Sequence, residues 1–273
     1  MSKVLCSTGA LIGKPNNRDY RLLKDFSKKL NCDGYEFMMY STWYGQEEEI
    51  IDFFKVNNFN IPVMHCAKGV GELISQGDLE SIEEAVRLFA INCDLANKIG
   101  SKAMVLHLWG GIASDGKIDI NIDKYKELAD IAKNYDIDLL IENVVCNREN
   151  PMKHWVELAK KYPGIHFVYD TKMAAFHEQM DLLYQKDYEW LYKDNHIQHY
   201  HVNDYAGGFM DWANLKTLSM GKGHVDFDKF FEYVKMTGYD KTFTVEATAF
   251  NKEGVVDFDM LNSNFSKIRD YME

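Results

Sequence analysis

Residues 123–171 read DKYKELADIAKNYDIDLLIENVVCNRENPMKHWVELAKKYPGIHFVYDT. Two apolar runs rich in β-branched and aromatic residues, 137–143 and 165–171, lead into carboxylates, Glu142 and Asp170. Each follows a stretch, 123–135 or 154–162, whose apolar residues recur at three and four. The first pattern predicts strands and the second helices, so this segment reads as helix, strand, helix, strand.

The alternation continues outward in both directions. Upstream, strand-like runs lie at 3–8, 33–38, 61–66 and 102–108, with helical periods at 19–30, 47–56 and 79–100. Downstream, runs at 197–203 and 242–247 are joined by helical periods at 228–236 and 260–272. Eight strands alternating with helices predict a closed parallel barrel or a doubly wound sheet. The count of eight and a length of 273 residues favour a single (β/α)₈ TIM barrel over residues 1–273, with its active site at the C-terminal ends of the strands. No Gly/Ser-rich linker and only four prolines interrupt the chain, so nothing marks a domain boundary.

Composition narrows the function. With 46% hydrophobic residues there is ample material for a core, and the net charge of −11 comes without any basic block, which disfavours a nucleic-acid footprint. The N-terminal stretch MSKVLCSTGALIGKPNNRD does not read as a signal peptide, and no window has the roughly 18 to 20 apolar residues of a membrane span. Five scattered cysteines with no C-x-x-C pair fit reduced thiols in a cytoplasmic protein. A small-molecule partner is the expectation, without nucleic acid or membrane, and a homo-oligomer is compatible with the chain.

The residues closing the eight runs are Thr8, Glu36, His65, His107, Glu142, Asp170, His201 and Glu246. Thr8 to Glu246 spans 238 residues in seven steps, a mean repeat of 34, about the length of one βα unit of such a barrel. Seven of the eight are ionisable, far more than packing alone requires at one mouth. Glu142, Asp170, His201 and Glu246 form an oxygen-rich set whose carboxylates would repel one another without a cation. One divalent metal is therefore expected, Mn²⁺ or Mg²⁺ in preference to Co²⁺ or Zn²⁺.

Motifs in the same order extend over essentially the whole chain: D-G-Y-E-F (33–37), His65, His107, I-E-N (141–143), Y-D-T (169–171), H-V-N-D (201–204), G-K-G-H-V-D-F (221–227) and V-E-A (245–247). In this the sequence resembles the xylose-isomerase-like barrel superfamily of sugar isomerases, sugar-phosphate epimerases and endonuclease IV. The resemblance implies a metal held by Glu142, Asp170, His201 and Glu246. It further implies that Glu142 and Glu246 move protons as general acid and base on a metal-bound enediolate, the chemistry of isomerases and epimerases in carbohydrate metabolism. Endonuclease IV places a His three residues after the Asp of strand six and another shortly before the glycine loop; here Met173 holds the first position and 204–220 contains no His. A trinuclear zinc site and DNA-repair chemistry are thereby disfavoured. An inosose-dehydratase-like lyase and a non-catalytic sugar-binding barrel remain the alternatives.

Further residues carry substrate-binding expectations. Glu36, His65 and His107 are placed to bond substrate hydroxyls, with a second metal as the alternative for the histidines. Trp109 is a candidate sugar-stacking wall; Trp43 and Trp212 are candidate lids. Lys172, two residues after Asp170, is placed to bind a phosphate or an enediolate oxygen unless it turns outward. His199 shares the parity of His201 and reads as a core residue bonded to a neighbour. Gly221-Lys222-Gly223 is too short for a phosphate cradle by itself.

Overall fold

The structure, a computed structural model, describes residues 2–273. Eight parallel strands form a closed barrel in sequence order: β1 (Lys3–Ser7), β2 (Gly34–Met38), β3 (Val63–His65), β4 (Ala103–Leu106), β5 (Asp138–Glu142), β6 (His166–Asp170), β7 (Ile197–His201) and β8 (Thr242–Val245). Every strand expected from the sequence is present, each shortened by one to three residues. The trimmed positions lie at both ends of the runs, and those at the C-terminal ends include Thr8, His107, Asn143, Thr171, Asn203 and Glu246, where the chain leaves the ladder.

Backbone packing groups the described residues into two compact units. One holds residues up to 37 with 57–60 and 169–273, and the other holds 38–56 with 61–168. In the first, β7 pairs with β8, β8 with β1 and β1 with β2, in a register that sets His199 opposite Thr242, His201 opposite Thr244 and Ser7 opposite Glu36. In the second, β3, β4, β5 and β6 pair in turn, with Glu142 opposite Val168. All five residues of β2 and four of the five in β7 are buried, as expected for parallel strands covered on both faces.

The helices are α1 (Leu23–Phe26), α2 (Glu47–Val56), α3 (Gly69–Gln76), α4 (Leu79–Ile99), α5 (Ile118–Asn134), α6 (Pro151–Lys161), α7 (Thr171–Phe176), α8 (Trp190–Lys193), α9 (Phe227–Met236) and α10 (Phe258–Met272). Side-chain caps start four of them: Asp78 accepts from Ser81 N at α4, Asn150 from Lys153 N ahead of Pro151 at α6, Asp226 from Lys229 N at α9 and Asp257 from Met260 N at α10. Gly100, in a left-handed conformation, ends α4.

Two sequence expectations differ. The helix expected over 19–30 is α1 flanked by 3₁₀ turns, Tyr20–Leu22 and Ser27–Lys29. Asp19 accepts from Arg21 N and Ser27 Oγ donates to the Lys24 carbonyl, local bonds that compete with a regular α ladder. Conversely, α3 was hidden by two glycines. A Cβ on Gly71 would come within 1.9 Å of the His107 carbonyl oxygen, so the close approach of α3 to the residue after β4 demands glycine inside a helix. No helix among the described residues is long and apolar enough to cross a membrane.

Candidate active site

In the first unit, Asp170 ends β6, His201 ends β7 and Glu246 follows β8. His201 Nδ1 lies 3.5 Å from Glu246 Oε2 and 3.9 Å from Asp170 Oδ2. Between the two carboxylates sits Asn203, whose Nδ2 is 3.2 Å from both Asp170 Oδ2 and Glu246 Oε2, and whose Oδ1 accepts from Glu246 N at 3.0 Å. Thr171 locks the backbone of Asn203: its Oγ1 donates to the Asn203 carbonyl at 2.6 Å and accepts from Asn203 N at 2.9 Å. In the sequence Asn203 stands inside the H-V-N-D motif (201–204). Its parity with His199 and His201 was the available signal, since alternate residues of an extended chain share a face.

The other nitrogen of His201 points at Glu36. Glu36 Oε2 is 3.1 Å from His201 Nε2 and 2.9 Å from His199 Nε2. Burial works to raise the Glu36 carboxyl, but the two imidazoles outweigh it and hold it well below the usual carboxylate range. His199 is fixed from Nδ1 by Thr242 Oγ1 at 2.6 Å and from Nε2 by Thr244 Oγ1 at 2.9 Å, and burial lowers its own pKa. His199 is thus a bonded core residue, as its position suggested. Glu36 is a correction: it has no solvent exposure and spends its bonds on two histidines, instead of reaching out to substrate hydroxyls.

A carboxylate can only accept, so both rings carry hydrogen on Nε2. In neutral His201 the basic nitrogen is then Nδ1, the one facing Asp170 and Glu246. A lone pair directed at two carboxylates is unfavourable unless positive charge lies among them. Donor atoms of Asp170, His201 and Glu246 lie within 4.8 Å of one another, and two oxygens with one imidazole suit Mn²⁺, Mg²⁺, Co²⁺ or Zn²⁺. The residues present fit a divalent cation.

In the second unit, Glu142 ends β5 and meets the histidines that close β3 and follow β4. Its Oε2 is 2.6 Å from His107 Nε2 and 3.5 Å from His65 Nε2, and the two rings meet edge to face with centroids 4.9 Å apart. His65 Nδ1 is 2.8 Å from the Cys66 carbonyl, which accepts its hydrogen and leaves Nε2 as the basic nitrogen. Burial lowers His107 to about 4 against the pull of Glu142, so its ring is neutral at neutral pH. Trp109 is a second correction. It is fully buried, donating Nε1–H to the Val144 carbonyl and packing edge-on against His154, and presents no face to a sugar. Trp43 is buried beside Tyr40, whereas Trp212 is 47% exposed and packs edge-on against Phe176.

The loop after β5 hangs on Asp115, whose carboxylate accepts from the backbone amides of Asn147, Arg148 and Glu149 and lies 3.3 Å from His154 Nε2. Burial opposes ionisation there, but those bonds hold the carboxyl at about 2.

In the first unit the G-K-G-H-V loop is organised from Asp204. Its carboxylate accepts from Gly221 N, Gly223 N, Val225 N and Tyr205 N between 2.8 and 3.1 Å. The amides that might have cradled a phosphate are therefore turned inward. A Cβ on Gly223 would stand 2.1 Å from the Tyr205 carbonyl oxygen, so only glycine permits this wrapping. Lys172, buried in α7, donates from Nζ to Thr217 Oγ1 at 3.0 Å, and the Thr217 carbonyl accepts from Thr248 N. Lys172 thus turns into the protein, bonded to a threonine whose carbonyl holds the amide two residues after Glu246.

Residues 25–262 match the family model described as a xylose isomerase-like TIM barrel. No curated protein sequence matches the chain. Among solved structures, a D-tagatose 3-epimerase-like protein superposes with a TM-score of 0.71 at 17% identity, over 99% of this chain and 97% of that one. The 3-keto-D-glucoside 4-epimerase of E. coli, in its apo form, gives 0.68 at 15% identity over 99% and 100%. The IolI protein with a bound zinc atom gives 0.70 at 16% over 99% and 98%. At these identities the likeness establishes a shared fold.

Proposed function

We propose that this chain, which belongs to the xylose isomerase-like TIM barrel family, is a divalent-metal-dependent isomerase or epimerase of a sugar or sugar phosphate, with residues 1–273 acting as one domain. The observation that carries the reading is His201 Nδ1 facing Asp170 and Glu246 while Nε2 is committed to Glu36. The fold shared with a D-tagatose 3-epimerase-like protein and a 3-keto-D-glucoside 4-epimerase supports the substrate class, and the zinc atom in the IolI structure supports the cofactor.

Asp170, His201 and Glu246 would hold the cation, with Glu142 from the end of β5 as the fourth ligand. A bound divalent ion supplies Lewis-acid polarisation of a carbonyl, which makes the neighbouring C–H acidic. The proton work falls to the glutamates. Glu246 keeps 12% side-chain exposure where Asp170 and His201 have none, so within this trio it is the carboxylate that substrate can reach. It serves as base at the carbon next to the carbonyl, and Glu142 acts as its partner acid. Glu142 Oε2, 2.6 Å from His107 Nε2, has a neutral imidazole beside it to steady its charge as the proton moves. His65 and His107 would bond substrate hydroxyls, and Lys172 an anionic substituent.

The test is solvent exchange. Incubated with Mn²⁺ and a panel of ketoses and ketose phosphates in D₂O, the enzyme should place deuterium on the carbon adjacent to the carbonyl of its substrate, in product and in recovered substrate. Product analysis separates isomerisation from epimerisation and from the loss of water that a dehydratase would cause. Nicking of abasic DNA, or tight sugar binding with neither exchange nor turnover, would overturn the proposal.

A further inference from the structure

We infer that Glu36 is the positioning residue of the site: by accepting the Nε2–H of His201 it fixes that ring to bind metal through Nδ1. The inference rests on reading Asp170, His201 and Glu246 as metal ligands, and it adds a residue from the opposite end of the chain, 165 positions away from His201.

Three observations support it. First, both hydrogen-bond partners of Glu36 are imidazoles and they share one oxygen, Oε2, while the other oxygen, Oε1, is buried without a hydrogen bond. Among the described residues, no backbone amide, lysine or arginine holds this carboxylate. A fully buried carboxylate is costly where packing alone is needed, and an apolar side chain would fill the same space. The feature that a carboxylate alone supplies here is acceptance from the two rings.

Second, the shared oxygen is held in place from the far side. His199 is anchored at Nδ1 by Thr242 Oγ1, its cross-strand partner, and Thr244 Oγ1 stands 2.9 Å from its Nε2. With the His199 ring fixed by β8, the carboxylate between the two rings has little freedom, and so neither has His201. Third, the direction is the productive one. The nitrogen facing Asp170 and Glu246 is Nδ1, and a ligand imidazole must offer an unprotonated nitrogen to the metal while its other N–H is held by an acceptor.

A purely structural Glu36 would alter stability alone, whereas a positioning Glu36 also sets a tautomer and a metal affinity. Histidine-¹⁵N-labelled protein should show His201 as the Nε2–H tautomer without metal. On titration with Zn²⁺, its Nδ1 resonance should move while Nε2 keeps its hydrogen. In Mn²⁺ titrations followed by electron paramagnetic resonance, Glu36→Ala should bind about 10- to 100-fold more weakly than wild type, the usual scale for removing such a partner. Glu36→Gln keeps the shape and one acceptor oxygen, so it should fall between, and it serves if the alanine variant does not fold.

Coordination through Nε2, or Glu36→Gln and Glu36→Ala both binding Mn²⁺ as tightly as wild type, would overturn the inference. Wild type that takes up neither Mn²⁺ nor Zn²⁺ would instead overturn the metal reading of the site. The metal-free spectrum then judges the Glu36–His201 bond by itself, with an Nδ1–H tautomer as the result against it.

Discussion

The Lys172 ammonium ends 3.0 Å from the Thr217 hydroxyl, and that neutral group is its one polar partner among the described residues. A buried cation is ordinarily balanced by a carboxylate. Here the balancing charge is expected to come from substrate. Lys172→Met should keep its metal and raise KM for a phosphorylated substrate about tenfold or more, the scale of one lost hydrogen bond to a charged group. KM for the unphosphorylated sugar should stay unchanged. Steady-state kinetics on matched sugar and sugar-phosphate pairs measures this, and equal constants for wild type and variant would remove the anion role.

Metal content is the second test. Protein dialysed against Mn²⁺ should carry one ion per chain by elemental analysis. Uptake should weaken as pH falls, because His201 must be neutral and the carboxylates ionised to act as ligands. His201→Asn should lose mainly metal. A stoichiometry near three per chain would point to the endonuclease-type cluster instead, and no uptake at all would leave the proposed chemistry without its cofactor.

Glu142→Gln and Glu246→Gln separate proton transfer from binding only if metal is assayed in the same samples. At matched metal occupancy each should lose about 10²-fold or more in kcat, the scale of general acid/base catalysis. A Glu246→Gln enzyme with full metal and full turnover would falsify the two-glutamate mechanism and move the search for a base to His65 or His107.

Acid stability should carry the signature of Asp115. Its carboxyl is held at about 2 against an ordinary 3.8, so the native state favours the ionised form. The stabilisation it provides is complete above about pH 4 and is lost as pH falls from there toward about 2. Asp115→Asn cannot titrate, so in urea melts between about pH 5 and pH 3 its stability should fall less steeply than that of wild type. At neutral pH it should be the less stable protein by about 1 to 3 kcal/mol, since a neutral amide replaces a charged acceptor for three backbone N–H groups. Parallel slopes for the two proteins would remove Asp115 as a source of the acid sensitivity.

The sequence by itself determined the strands, their order and which residue types stand at their ends. Apolar runs closing on Glu142, Asp170 and His201 are local patterns, and period-two parity tells which side chains share a face; α2 over 47–56 was legible to the residue for the same kind of reason. Contacts between distant strands were not legible. Nothing local to residue 36 or 201 encodes that the two side chains meet at 3.1 Å, because register and closure of the barrel decide which strand ends face one another. Trp109 and Lys172 both follow site residues by two, yet one is packed in the core and the other ends against Thr217. Parity fixes a direction, whereas the neighbours that fill the space decide the partner. Likewise α3 disappeared behind Gly69 and Gly71, since helix propensity counts glycine as a cost and only the nearby His107 carbonyl explains why Gly71 is required.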